Sequence, residues 1–221
     1  MLYAFRRATL ALRGAAAALV LVLATVAPAP AHAASTDAAT AFVTKLVDSA
    51  INDVIGAKIS NSEREERFRK LFVEAADIPS IASFVVGREW RGASDQQKKD
   101  FIQLFEDVSI LTWISHLDEY KDVRIKITGA YADKSDIFVE SQAHTADGKP
   151  IPIVWRVQDR GNGKLQLIDV VIEANSMLIN TRKQYASVMR RDGGLDGLMK
   201  SLSTMRDDLR AGKAPKPLPE S

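Results

Sequence analysis

The sequence predicts an α+β protein in which helices pack on one face of a curved antiparallel sheet. Three observations predict it. Apolar residues recur at helical spacing from Phe42 to Leu117, at strand spacing from Val123 to Glu173, and at helical spacing again from Ser176 to Arg210. The strand runs follow one another with connections too short for crossover helices, which makes the sheet an antiparallel meander.

The first helix shows apolar pairs every four positions, Phe42/Val43, Leu46/Val47, Ala50/Ile51 and Val54/Ile55, with Gly56 as its C-cap candidate. Ser62 and Glu65 have capping-box spacing and open a second helix. Its Phe68, Leu71 and Phe72 face inward, while Glu63, Arg64, Glu66, Arg67 and Lys70 form a solvated face. Asp77 caps a short helix with Pro79 in its first turn, and Gly87 stops it after Ile78, Ile81, Ala82, Phe84, Val85 and Val86. That much apolar surface on one short helix requires burial on more than one side. A second capping box, Ser94 with Gln97, opens the longest helix, Asp95–Glu119. Its second half, Val108–Leu117, carries no formal charge, so it is sandwiched between layers or lines a dry cavity.

The period then drops to two. Val123, Ile125 and Ile127 mark one strand, Ile137, Val139, Ser141 and Ala143 a second beyond the Asp133–Asp136 turn, and Ile151, Ile153, Trp155 and Val157 a third. Gly161 and Gly163 turn the chain into a fourth strand, Leu165–Glu173, apolar on both sides except at Asp169. Two helices close the pattern, Ser176–Arg190 and Asp196–Arg210. One domain is expected over residues 34–211. The last ten residues, 212–221, read GKAPKPLPES, a disordered tail by composition.

Residues 1–33 read as a secretory signal peptide: a basic start with Arg6, Arg7 and Arg13, an uncharged run over 14–27, and Ala31-His32-Ala33 before the cleavage point. The uninterrupted run is shorter than the about 20 residues that cross a bilayer. Cleavage near Ala33 delivers a soluble product to the periplasm. Without the three leader arginines, 27 basic side chains face 28 acidic ones, a net charge of −1 against +2 for the full 221 residues. A nearly neutral body without a Lys/Arg run excludes tight nucleic-acid binding and electrostatic parking on anionic membranes. The absence of cysteine excludes thiol chemistry, iron–sulfur clusters and a disulfide framework, so stability comes from the core alone.

No catalytic set is legible. His116 and His144 stand in no spaced ligand pattern, no Gly-rich phosphate loop occurs, and no serine lies in a nucleophile-elbow context. No enzyme activity, metal or cofactor is therefore expected. Asp169 is the one acid inside an apolar strand. It reads either as a general base with a raised pKa or as a hydrogen-bonded acid tying the sheet to a neighbouring loop, and the lack of a companion nucleophile favours the tie. The chain instead offers surplus apolar lining: Phe84, Val85, Val86, Trp90, Phe101, Phe105, Trp113, Ile114, Leu117, Trp155 and Met177 exceed the needs of a thin helix-on-sheet layer. A cavity between sheet and helices would use them.

Two stretches resemble the MlaC-type periplasmic phospholipid-binding proteins, the toluene-tolerance auxiliary components of ABC transporters. The first is Phe84-Val85-Val86-Gly87-Arg88-Glu89-Trp90-Arg91-Gly92-Ala93-Ser94, followed by Phe101 and Phe105; the second joins Asp169-Val170, Ser176-Met177 and Gly194-Leu195-Asp196-Gly197-Leu198. Leu165, Ala174 and Asn175 stand where the family pattern has tryptophan, glycine and valine. The resemblance implies an NTF2-like sheet wrapped by helices around an apolar cavity that holds lipid acyl chains, with Arg88 and Arg91 as candidate headgroup contacts at its mouth. It also implies partners, an outer-membrane lipoprotein–porin complex and an inner-membrane ABC transporter with an MCE-domain subunit, and a part in outer-membrane lipid asymmetry. A hopanoid is the alternative cargo, and an NTF2-like enzyme with Asp169 as base the alternative class. Carriage has a physical reason. At about 0.8 kcal/mol per methylene, two acyl chains exposed to water would cost on the order of 25 kcal/mol. A pocket of about 1,000 Å³, at the top of the usual range, is expected to hide them.

Overall fold

The computed structural model describes residues 35–145, 148–161 and 163–213. The predicted signal peptide lies outside the described residues, as does the predicted tail from residue 214 on.

Helix α1, Thr36–Ser49, is capped by Ser35, whose hydroxyl accepts from the Ala38 N–H, and runs on as a π-helical segment, Ala50–Ile55. Gly56 ends it at φ −78°, an ordinary right-handed conformation. The end is closed by a side chain instead. Arg64 donates to the carbonyls of Val54, Ile55 and Ala57, the last two at 3.0 and 3.1 Å. Predicted as a solvated residue, Arg64 supplies the donors that a helix C-terminus lacks. Helix α2, Asn61–Ala75, starts two residues earlier than its Ser62 pattern suggests, because Ser60 is the cap and accepts from the Glu63 N–H at 3.2 Å.

At the α2–α3 junction the backbone touches the sheet: the Asp77 N–H donates to the Leu167 carbonyl at 3.1 Å. The Asp77 carboxylate caps α3, Ile78–Val86, through the Ser80 N–H and pairs with Arg160. Gly87 ends α3 at φ 69°, where a Cβ would stand 2.9 Å from an Arg182 guanidinium nitrogen. That guanidinium donates to the Phe84 carbonyl at 2.8 Å, so glycine here permits both the turn and the close approach. A single turn, α4 (Glu89–Gly92), leads to α5, Asp95–Ser115, opened by the predicted Ser94–Gln97 capping box. Helix α5 is four residues shorter than the spacing predicts. The Ser115 hydroxyl donates to the Thr112 carbonyl, the His116 N–H bonds back to the Trp113 carbonyl, and the chain tightens into a 3₁₀ turn, Leu117–Tyr120.

The sheet is the predicted meander: β1 (Arg124–Asp133), β2 (Asp136–His144), β3 (Ile151–Asp159) and β4 (Leu165–Ile172), neighbours in that order and all antiparallel. A two-residue fifth strand, β5 (Asn175–Ser176), folds back on β4. Register shifts at Ile127/Gly129 and at Arg156/Val157 bend the strands. Glu173 and Ala174 make the last turn with φ of 49° and 64°. A left-handed Ala174 explains why glycine suits this position in the pattern quoted above. Helices α6 (Met177–Asp192) and α7 (Gly194–Arg210) complete the fold.

The α+β architecture is therefore as predicted, but the core divides in two. Ala39, Val43 and Val47 of α1 pack on Ile137, Val139 and Val157 of the sheet. The larger cluster is mostly helix on helix: α3, α5, α6 and α7 meet around Phe101, Phe105, Tyr185, Leu198 and Leu202, with Ile168 of β4 as the sheet's share. Arg69 of α2 pairs with Glu106 and Asp107 of α5 at 2.7 and 2.9 Å, and Arg210 of α7 reaches Asp107 at 3.5 Å. These half-buried pairs tie three helices together.

Candidate functional site

A cavity of about 620 Å³ opens between α2, α3, α5, α6, α7 and β4. Its walls are mainly apolar: Phe72 and Ala76 from α2 and the residue after it, Ile81 and Val85 from α3, Leu167 to Val170 from β4, and Leu202 and Met205 from α7. Helix α5 contributes Phe105, Val108, Ser109, Thr112 and Trp113, then His116 beyond its end. This accounts for the charge-free run Val108–Leu117. One side of it faces the cavity and the other is packed, with Ile110 and Leu111 buried, so a formal charge would be stranded away from water on the packed side and would meet any apolar ligand on the other. Two lining residues, Tyr120 and Met177, are 37 and 40 % exposed and mark the opening.

Of the eleven residues proposed from sequence as cavity lining, Val85, Phe105, Trp113 and Met177 stand on the wall. The other seven lie elsewhere, for separate reasons: Val86 is buried in the helical core. Phe101 is fully buried beneath the wall, and Trp90 packs edge-on against it at 6.0 Å. Phe84 sits on the outer face of α3 with the Arg182 guanidinium 4.7 Å over its ring. Trp155 belongs to the α1–sheet cluster and donates its indole N–H to the Ser141 hydroxyl at 2.9 Å. Ile114 is half-buried on α5 away from the lining, and Leu117 is buried in the 3₁₀ turn. The arginines are also displaced: Arg88 is exposed and paired with Glu89, and Arg91 is exposed on α4, neither of them on the cavity.

Spacing could have found several residues that sequence reasoning missed. Thr181, Gln184 and Tyr185 follow the proposed Met177 at i+4, i+7 and i+8, and Leu202 and Met205 stand at i and i+3, each set forming one stripe of a helix. Leu167 and Phe72 gave no such signal, since their place depends on the long-range junction at Asp77. The volume falls short of the expected 1,000 Å³, and Phe105, Tyr185 and Leu202 are buried members of the wall.

Asp169 lines the same cavity, and both its oxygens are engaged. The Ser176 hydroxyl donates to Oδ2 at 2.5 Å and the Leu178 N–H to Oδ1 at 2.9 Å. Ser176 in turn accepts from the Ile179 N–H. The carboxylate thus ties β4 to the first turn of α6, a favourable place for negative charge. Replacing Asp169 with alanine strands a buried N–H and hydroxyl, and a loss of about 2–3 kcal/mol in denaturant unfolding is expected. A base in an enzyme would instead lose turnover in Asp169→Asn with folding intact.

The architecture is shared with a solved structure. The phospholipid-binding protein from Ralstonia solanacearum, solved in complex with a phospholipid, superposes with a TM-score of 0.67 at 22 % identity, over 77 % of this chain and 97 % of its own. No curated protein matches the chain. Residues 42–204, from the second turn of α1 to the middle of α7, match the family described as MlaC protein. These residues include every residue that lines the cavity except Met205. The chain belongs to the MlaC family.

Proposed function

We propose that this protein is a lipid carrier that holds phospholipid acyl chains in the cavity between its helices and leaves the headgroup at the rim formed by Tyr120 and Met177. The observation that carries this reading is the cavity itself: about 620 Å³, walled mainly by apolar side chains, open at one rim and lacking a legible catalytic set. That volume lies within the range of pockets that enclose a ligand. The phospholipid held by the Ralstonia relative supports the same cargo.

The reading extends to a route. With its leader removed, the protein works in the periplasm and passes lipid between an outer-membrane lipoprotein–porin complex and an inner-membrane ABC transporter with an MCE-domain subunit. The chain carries no phosphate-binding loop, so direction comes from the partners' relative affinities and from the transporter's ATP hydrolysis. Organic extraction of the purified protein followed by mass spectrometry is expected to recover phospholipid at close to one molecule per chain. Lipid-free material from phospholipid-rich cells overturns the reading, and a hopanoid in its place changes the cargo but keeps the carrier.

A further inference from the structure

The α6 wall of the cavity is apolar at its outer end and polar within. Met177, 40 % exposed, stands at the rim. Thr181, Gln184 and Tyr185 follow on the same helical face, and at about 1.5 Å per residue Tyr185 lies about 12 Å further along the axis than Met177. Tyr185 is 4 % exposed. Phe101 and Phe105 hold its ring edge-on at 6.2 and 6.4 Å, which fixes where the phenol can point. Its hydroxyl meets no hydrogen-bond partner among the described residues, and it is not sealed, since Asp77 Oδ2 is the one fully buried side-chain polar atom there without a hydrogen bond; it opens on the cavity that the side chain lines, where a hydrocarbon cargo would strip it of water at a cost. Burial alone pushes the phenol's pKa up, so at neutral pH the group keeps its proton and remains a donor. Across the cavity, α5 presents Ser109 and Thr112 three residues apart. A cavity shaped only for saturated hydrocarbon has no use for a phenol this far from its rim.

Resting on the carrier reading above, we propose that the Tyr185 hydroxyl is a hydrogen-bonding subsite for an oxygen carried within the hydrocarbon of the cargo, so that the cavity prefers lipids with a mid-chain hydroxyl or keto group. The ester carbonyls of an ordinary phospholipid lie at the junction with the headgroup, near the rim, and do not reach this depth.

The test is a competition. The purified protein is incubated with equal amounts of two phosphatidylethanolamines, one with stearoyl chains and one with a 12-hydroxystearoyl chain, then repurified, extracted and analysed by mass spectrometry. Wild-type protein is expected to enrich the hydroxylated lipid about three- to tenfold, the worth of one net hydrogen bond. Tyr185→Phe is expected to bring the ratio to one and to keep the wild-type melting temperature. Equal retention by the wild type overturns the subsite, as does enrichment that survives in Tyr185→Phe. The wild-type ratio alone decides the matter should the variant fail to fold. If neither lipid is retained, the carrier reading fails and takes the subsite with it.

Discussion

Phe101→Ala is expected to cost about 3–5 kcal/mol of folding stability, the range for deleting a fully buried aromatic side chain. Phe101 has no exposed surface and touches three other rings: Trp90 edge-on, Phe105 stacked at 6.1 Å and Tyr185 edge-on at 6.2 Å. Aromatic pairs of this kind add to simple burial, and α4, α5 and α6 all contribute a ring. Two effects oppose each other. The ligand cavity lies just beyond Phe105 and Tyr185, so those side chains have room to relax into the new void, which lowers the cost; relaxation also abandons the edge-on geometry, which raises it. Packing wins, because a void lined by aromatic carbon retains most of its penalty. Against a total stability of about 5–15 kcal/mol, the loss is expected to lower the melting temperature by about 10 °C or more in a calorimetric scan. Phe84→Ala, which removes an exposed ring from the outside of α3, serves as the contrast and is expected to cost less than about 1 kcal/mol. A Phe101→Ala protein within about 1 kcal/mol of wild type would show that this ring is not the centre of the helical core.

The sequence exposes local order well and long-range placement poorly, for a physical reason that particular residues make plain. The Asp77 and Ser94 caps, the Gly87 stop and the four-strand meander depend on neighbours within a few positions, and each stands where spacing puts it. Arg64 is different. Its spacing on α2 places it on the polar side, and only the fold brings the open carbonyls of the preceding helix to its guanidinium. The cavity suffers most from this limit. Surplus apolar residues announced that something more than a thin layer was to be buried, but hydrophobicity does not say whether a ring faces a neighbour or a void. Phe101 and Phe105 share one stripe of one helix, stacked 6.1 Å apart, yet only Phe105 reaches the lining. Trp155 has the right chemistry and lies on a strand that packs against α1 instead. The core divided because α2, α3, α5, α6 and α7 pack on one another over β4, leaving α1 to cover the rest of the sheet. No pattern within a single element specifies that division.

Trp113→Glu is expected to reduce co-purified lipid tenfold or more while the protein stays folded. Trp113 lies on the uncharged half of α5, lines the cavity and leans on Tyr120 at the opening, with ring centroids 6.1 Å apart. It is only half-buried, so a carboxylate there keeps access to water in the empty protein and costs the fold little. Loading changes that balance. An acyl chain drawn in past the rim would have to desolvate the carboxylate or leave methylenes in water, and burying a polar group without a partner costs about 2–7 kcal/mol. Each 1.4 kcal/mol is tenfold in occupancy, so even the low end nearly empties the cavity. Trp113→Phe, which keeps an apolar wall, is expected to retain lipid near the wild-type level, separating charge from shape. Mass spectrometry of organic extracts gives the lipid, and a melting scan of the same preparations gives the fold. A folded Trp113→Glu protein that carries the wild-type load would remove this side chain from the path of the ligand and move the entrance away from the end of α5.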